Sequence, residues 1–288
     1  MKKRRESRQI KIDTSVKSYT EKVEKILMKK EACNNLMLGI LHRLHTNNID
    51  CSLGYVEDND RVAAAFMRTP PHNWIIADID HTDPDVNGAV ADYIYEKGME
   101  SPGVIGPIAA AKKFTERWTA LTNMTAAVHM NQLIYQLDKV NVTPSGNGEL
   151  FKATEQEQDL ITDWLIQFAR EANEATVADR AEHLARQFVK NGSVYLWKVG
   201  NQFVSMANIS RKTKNGATIN AVFTPDKYKR KGYATNAVAA LSKQLLDEGF
   251  QFCSLYTDQA NPTSNSIYKK IGYEVVGSSI VFHFGEGE

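Results

Sequence analysis

AVFTPDKYKRKGYATNAV, Ala221 to Val238, runs from an apolar segment through a Thr-Pro break into a basic loop with one glycine, then into an amphipathic segment. The residues before Thr224 read as a buried strand, and Pro225, which has no N–H to give a ladder, ends it. Val238, Leu241 and Leu245 fall at helical spacing, predicting a helix from Tyr233 to Glu248 that Gly249 stops. A loop that opens a helix in this way suits an anion. The first amides of the helix lack intrahelical acceptors, the macrodipole adds to them, and Gly232 lets a phosphate approach the backbone with no Cβ in the way. Lys229, Arg230 and Lys231 add positive charge. A plain capped helix with solvated basic residues would read the same in isolation, so the surrounding elements have to decide.

Downstream, Phe252 to Thr257 reads as a strand. A helix from Pro262 to Ile271 follows, with Asn261 as N-cap, Pro262 at its first position and Gly272 at its far end. Strand, helix, strand implies a parallel crossover. Upstream, Ser193 to Val199 and Phe203 to Ile209 flank the turn Gly200-Asn201, and Ala217 to Phe223 makes a third strand. Arg211, Lys212 and Lys214 mark an exposed turn. Before these strands, Thr154 and Glu157 form a capping box ahead of Leu160, Ile161, Trp164, Leu165 and Phe168. A second helix carries Val177, Ala181, Leu184 and Phe188 and ends at Asn191-Gly192.

The first half has the same order. One or two helices span Tyr19 to His45. Strand candidates follow at Cys51 to Val56, Val62 to Arg68 and Trp74 to Ile79, with helices from about Ala89 to Lys97 and Ala109 to Leu121, and a closing strand from Ala126 to Val140. NVTPSGNGE, Asn141 to Glu149, concentrates turn residues and is the expected boundary, giving residues 1–140, a linker at 141–148 and a second domain at 149–288. The shared order predicts a diverged tandem repeat, with an unrelated α+β N-terminal domain as the alternative. The fold class expected is α/β (α+β), each half a mixed, mostly antiparallel sheet flanked by helices.

Composition limits the function. With 288 residues, 35 Lys plus Arg against 34 Asp plus Glu and a formal charge of +1, no overall field points to nucleic acid or an anionic membrane. No segment has the length and apolarity of a membrane span, and the N-terminal MKKRRESR, lacking an apolar continuation, reads as a solvated tail. Cys33, Cys51 and Cys253 form no C-x-x-C pair, which fits a reducing, cytoplasmic setting, and no metal-ligand spacing occurs. The expected protein has no nucleic-acid or membrane partner; its oligomeric state is not readable.

The loop KRKGYA, Lys229 to Ala234, resembles the acetyl-CoA loop of the Gcn5-related N-acetyltransferases (GNAT), written Q/R-x-x-G-x-G/A. Lys229 stands where that pattern has Gln or Arg, with Arg230 beside it. INAVFTP resembles the family's fourth strand, and TDQANPTSNSIYKKIGYEVVG its fifth strand, last helix and sixth strand, so the resemblance covers 149–284. The N-terminal half is similar in element order only, since DIDHTDPDVNG holds no glycine loop of this kind, and is expected to be a degenerate copy without its own cofactor.

The resemblance implies acetyl transfer from acetyl-CoA, without a metal, to a primary amine of a small molecule or peptide in a ternary complex. It places the pantetheine arm against the backbone of Val222, Phe223 and Thr224, and the pyrophosphate on the amides of Lys229, Arg230, Lys231, Gly232, Tyr233, Ala234 and Thr235. Asn261 and Asn265 would flank the arm, and Tyr268 would protonate the leaving thiolate. A tyrosine packed in the core, an asparagine that only caps, a binding module without turnover and a transferase for a longer acyl group all stay open at this stage. Glu171, Glu174 and Asp179 are acidic residues on the expected acceptor wall, but none is identified as the base. His183 and His283 show no ligand spacing.

Overall fold

The computed structural model describes residues 8–80, 83, 85–144, 148–172 and 174–286. Most of the expected N-terminal tail and the centre of the expected linker, residues 145–147, lie outside the described residues. Contacts divide the chain into two compact units: 1–134 with 257–260 and 275–288, and 135–256 with 261–274.

The first unit begins with β1 (Arg8–Asp13), α1 (Val16–Leu27), α2 (Asn35–Leu44), β2 (Ser52–Asp58), β3 (Arg61–Arg68) and β4 (Trp74–Ile76). It continues with α3 (Asp85–Glu96), β5 (Gly103–Pro107), α4 (Ile108–Thr122) and most of β6 (Thr125–Leu137). The second unit holds β7 (Gly148–Lys152), α5 (Gln158–Ala172), α6 (Ala175–Asp179), α7 (Ala181–Lys190), β8 (Val194–Val199), β9 (Gln202–Lys212) and β10 (Gly216–Phe223). After these come α8 (Tyr233–Asp247), β11 (Phe252–Asp258) and α9 (Pro262–Ile271). The last strand, β12 (Glu274–Gly285), lies in the first unit almost entirely.

Both units show the expected mixed sheet flanked by helices. In the first, the strand order is β1-β2-β3-β4-β5-β12-β6, antiparallel at β1-β2, β2-β3, β3-β4 and β5-β12 and parallel at β4-β5. In the second the order is β11-β10-β9-β8-β7, antiparallel except for β10-β11. In each unit a parallel pair is made by a strand-helix-strand crossover: β4-α3-β5 and β10-α8-β11.

Several boundaries differ from the sequence reading. The strand expected to reach Ile79 stops at Ile76, and the short apolar run PGVIGP, Pro102 to Pro107, contains β5. The single helix through Val177 and Phe188 breaks at Arg180 into α6 and α7. β1 and β7 were not expected at all. Each carries few apolar residues and is held by its neighbour, Arg8 to Asp13 against β2 and Gly148 to Lys152 against β8.

Residues of β12 complete the core of the first unit. Ser279 to His283 pair with Pro107 to Gly103, and Ile280 and Phe282 pack with Trp74, Val104, Phe114 and Trp118. Phe282 is 8% exposed. We expect Phe282→Ala to destabilise this unit by about 3 kcal/mol, the usual scale for deleting a buried ring. Denaturant unfolding followed by tryptophan fluorescence checks this, because Trp74 and Trp118 report on that core; an unchanged midpoint would contradict the packing.

Candidate active site

The site is built at the end of β10. Ala221 adopts a left-handed conformation (φ 47°), and the register against β9 shifts between Asn220 and Phe223, so the strand bulges. An alanine held at positive φ costs about 1 kcal/mol, and its persistence here re-aims the strand end. On the other side, β10 pairs with β11 only at Gly216, Ala217 and Thr218, opposite Phe252, Cys253 and Ser254. Beyond Thr218 the register with β11 ends, so the backbone of 219–223 has no ladder partner on that side. Such an unpaired strand edge offers peptide donors and acceptors to an extended ligand.

The strand end is fixed from behind. Ser205 Oγ donates to the Phe223 carbonyl at 3.0 Å, and Thr224 Oγ1 donates to Ser205 Oγ at 2.9 Å. The Phe223 ring belongs to the core against Trp164, with centroids 6.2 Å apart, and Val222 is half-buried. Pro225 then leads through one 3-10 turn, Asp226–Tyr228, to the basic loop.

Gly232 is the N-cap of α8, with φ 79°, ψ 6°, and no side chain caps this helix. The position calls for glycine, because that conformation strains an L side chain, yet a Cβ built there meets nothing within 4 Å. The conformation disfavours a side chain while the space in front stays open. Asn236 N–H closes the first turn on the Gly232 carbonyl at 3.0 Å, so the amides of Tyr233, Ala234 and Thr235 precede the helical ladder. Arg230 is also left-handed (φ 61°), and Arg230 and Lys231 are exposed. Lys229 is engaged elsewhere: its ammonium lies 2.7 Å from Glu171 and 2.8 Å from Asp226. Burial lowers its pKa, but hydrogen bonds to the two carboxylates outweigh this and raise it. Glu171, one of the acidic residues singled out in the sequence, is therefore tied to the loop.

The helix α9 has the predicted ends. Asn261 Oδ1 accepts from Ser264 N–H at 3.0 Å, Pro262 takes the first turn, and Gly272 (φ 116°) closes the helix. Asn265 is buried and engaged at both ends of its amide. Its Nδ2 donates to the Asn261 carbonyl at 2.8 Å and its Oδ1 accepts from Tyr135 at 3.2 Å. Tyr268 is 7% exposed, tilted against Tyr135 and edge-on to Tyr273. Among the described residues nothing hydrogen-bonds its hydroxyl. Burial, with Tyr135 adding to it, pushes its pKa well above the ordinary tyrosine value, so the phenol stays protonated at neutral pH.

Sequence reasoning missed the Ala221 bulge and the Ser205 lock. An alanine and a serine inside apolar strands carry no local signal for either. Arg211 and Lys212, expected in an exposed turn, instead end β9 paired with Thr218 and Ala217, with Arg211 over Tyr256 and Lys212 over Phe250. His283 stacks on His129 at 4.4 Å in the first unit. Among the described residues no group of His, Cys, Asp and Glu could hold a metal ion, and no helix is long and apolar enough to cross a membrane.

A bulged strand parts from its parallel neighbour beside a glycine-capped basic helix start. Residues 158–273 match the family profile "Acetyltransferase (GNAT) family". Among solved structures the chain is similar to a GNAT-family acetyltransferase from Colwellia psychrerythraea, at 11% identity over 96% of this chain and 100% of that one, with TM-score 0.58. It is similar to a GCN5-related N-acetyltransferase from Sphaerobacter thermophilus, at 10% identity over 95% and 94%, with TM-score 0.60. A tandem GNAT protein from the clavulanic acid biosynthesis pathway is similar at 10% identity over 97% and 99%, with TM-score 0.53. No curated protein matches the chain in sequence. At these identities the solved structures speak to the fold alone. Residues 158–273 thus match the GNAT family, and the fold as a whole is similar to that of a tandem GNAT protein.

Burial of phenols also sets a pH limit on the fold. Tyr19, Tyr268 and Tyr273 are buried, and burial raises the pKa of each above the ordinary value of about 10. A pKa raised on folding contributes stability that is complete below the unfolded value and is lost as pH climbs towards the folded one. We therefore expect the urea midpoint to be flat with respect to these groups from pH 7 to 9 and to fall above about pH 10. Tyr268→Phe should lessen that fall; an unchanged alkaline slope in this variant would show its phenol ionising freely in the folded state.

Proposed function

We propose that this protein transfers the acetyl group of acetyl-CoA to a primary amine of a small molecule or peptide, by direct attack in a ternary complex. The observation that carries the reading is the parting of β10 from β11 beside the left-handed Gly232 at the start of α8. The diphosphate of acetyl-CoA fits the amides from Gly232 to Thr235, where no Cβ stands in the way, and the exposed Arg230 and Lys231 supply counter-charge. The pantetheine arm fits the unpaired backbone of Val222 and its neighbours, with Ser205 and Thr224 holding the strand end in shape.

The neutral amine nitrogen attacks the thioester carbonyl carbon, the carbonyl oxygen takes up negative charge, and collapse forms the amide as the carbon-sulfur bond breaks. The leaving thiolate takes the phenolic proton of Tyr268, and the amine loses its surplus proton to solvent or to a base in the acceptor site. Tyr268 regains its proton from solvent after product release. A phenol kept neutral by burial is present in the donating form through the neutral range. The three free cysteines and the near-zero charge fit the cytoplasm as the setting.

The test is thiol release from acetyl-CoA across a panel of aminoglycosides, polyamines, amino acids and peptide N-termini, with mass detection of the acetylated product. Release that depends on one amine class, with a gain of one acetyl group, is the expected result. Tight acetyl-CoA binding with no release on any amine would favour a binding module without turnover.

A further inference from the structure

The two units share a hollow that the fold creates in the same place. In the second unit it measures about 540 Å³ and lies between α5, the β8-β9 turn and the segment after β10, lined by Leu160, Trp164, Phe203, Pro225 and Tyr228. In the first unit it measures about 990 Å³ and lies between α1, the β2-β3 turn and the segment after β4. The apolar floor persists there as Ile26, Val62 and Ile79, but the walls are charged.

The charges are sorted. Arg8 is held by Asp58 and Asp83 at 3.1 and 2.7 Å, and Lys30 by Asp78 and Asp80 at 2.9 and 2.6 Å, so four of the five lining aspartates are occupied. The fifth, Asp60, and Lys22 form no ion pair among the described residues, since Lys11 and Glu57, whose fields reach them, pair with each other. Lys25 and Lys29, one turn apart, and Arg61 across from them on the β2-β3 turn, line the same hollow with no carboxylate partner among the described residues. The tight turn at Asn59 and Asp60, both at positive φ, sets Arg61 at the start of β3. Lys22, Lys25, Lys29 and Arg61, set against the single unpaired Asp60, leave a surplus of positive charge over an apolar floor, which suits a ligand with a doubly charged anionic head and an apolar body.

We propose that this cavity binds a phosphate monoester of nucleotide size, its phosphate between Lys25, Lys29 and Arg61 and its ring on Ile26, Val62 and Ile79. The site is separate from the acetyl-CoA reading and does not depend on it.

Titration calorimetry on the full chain at low salt, with adenosine 5′-monophosphate as probe, tests the proposal. The nucleotide should bind, adenosine and inorganic phosphate should each bind at least tenfold more weakly, and affinity should fall as salt is added. Charge reversal by Lys25→Glu with Lys29→Glu should weaken nucleotide binding at least tenfold while leaving acetyl-CoA affinity and Tm unchanged. Arg61→Glu, on a different element, should do the same and serves if the double variant loses stability. Gly232→Asp should leave nucleotide affinity intact. No binding to the wild type, binding undisturbed by both charge reversals, or binding abolished by Gly232→Asp would overturn the proposal; the last would place the nucleotide on the second unit.

Discussion

Gly232→Asp should weaken acetyl-CoA binding at least tenfold, about 1.4 kcal/mol, while the protein stays folded. The position is left-handed, so any side chain is strained there, but Asp and Asn tolerate that region better than most residues. The built Cβ meets no atom within 4 Å, so the substitution crowds nothing in the free protein. Its cost falls on the ligand, because a carboxylate would occupy the space in front of the α8 amides where the diphosphate is proposed to sit. Gly232→Asn separates the contributions, having the same shape and backbone strain without the charge, and should lose less affinity than the aspartate. Calorimetry with both variants, alongside their melting temperatures, is the check. Wild-type affinity in folded Gly232→Asp would remove the loop from cofactor binding.

Tyr268→Phe should lower turnover on the order of 10²-fold with little change in acetyl-CoA affinity. The hydroxyl makes no hydrogen bond among the described residues, while the ring packs against Tyr135 and Tyr273, so phenylalanine keeps the packing and loses only the proton. If Tyr268 served the core alone, activity would follow stability, and Tm would hold along with kcat. The loss should shrink with an acyl donor whose leaving thiol has a lower pKa, since that group departs without a proton. Full turnover of Tyr268→Phe on acetyl-CoA would assign the proton to water or another group.

What could be read in the sequence was what depends on neighbours along the chain. Asn261, Pro262 and Gly272 define α9 because caps are made within one turn, and Thr154 with Glu157 forms its capping box for the same reason. The glycine at 232 was legible because few residues serve a left-handed helix start. Features made by partners far along the chain were not. β1 and β7 are strands because β2 and β8 pair with them, and the last strand joins the first unit as Ser279 to His283 pair with Pro107 to Gly103. Lys229 and Glu171 stand 58 residues apart, so the basic loop could be read as free charge although its first cation is held in an ion pair. Asn265 likewise looked available for a ligand, and its amide is engaged by Asn261 and Tyr135.

The most direct measurement of the central claim is a crystal structure of the full chain with acetyl-CoA. The account predicts the diphosphate on the amides of Gly232 to Thr235, the arm along the unpaired edge of β10 at Val222, and the thioester sulfur within hydrogen-bond reach of the Tyr268 hydroxyl. Acetyl-CoA bound away from the start of α8, or with its sulfur remote from Tyr268, would contradict it.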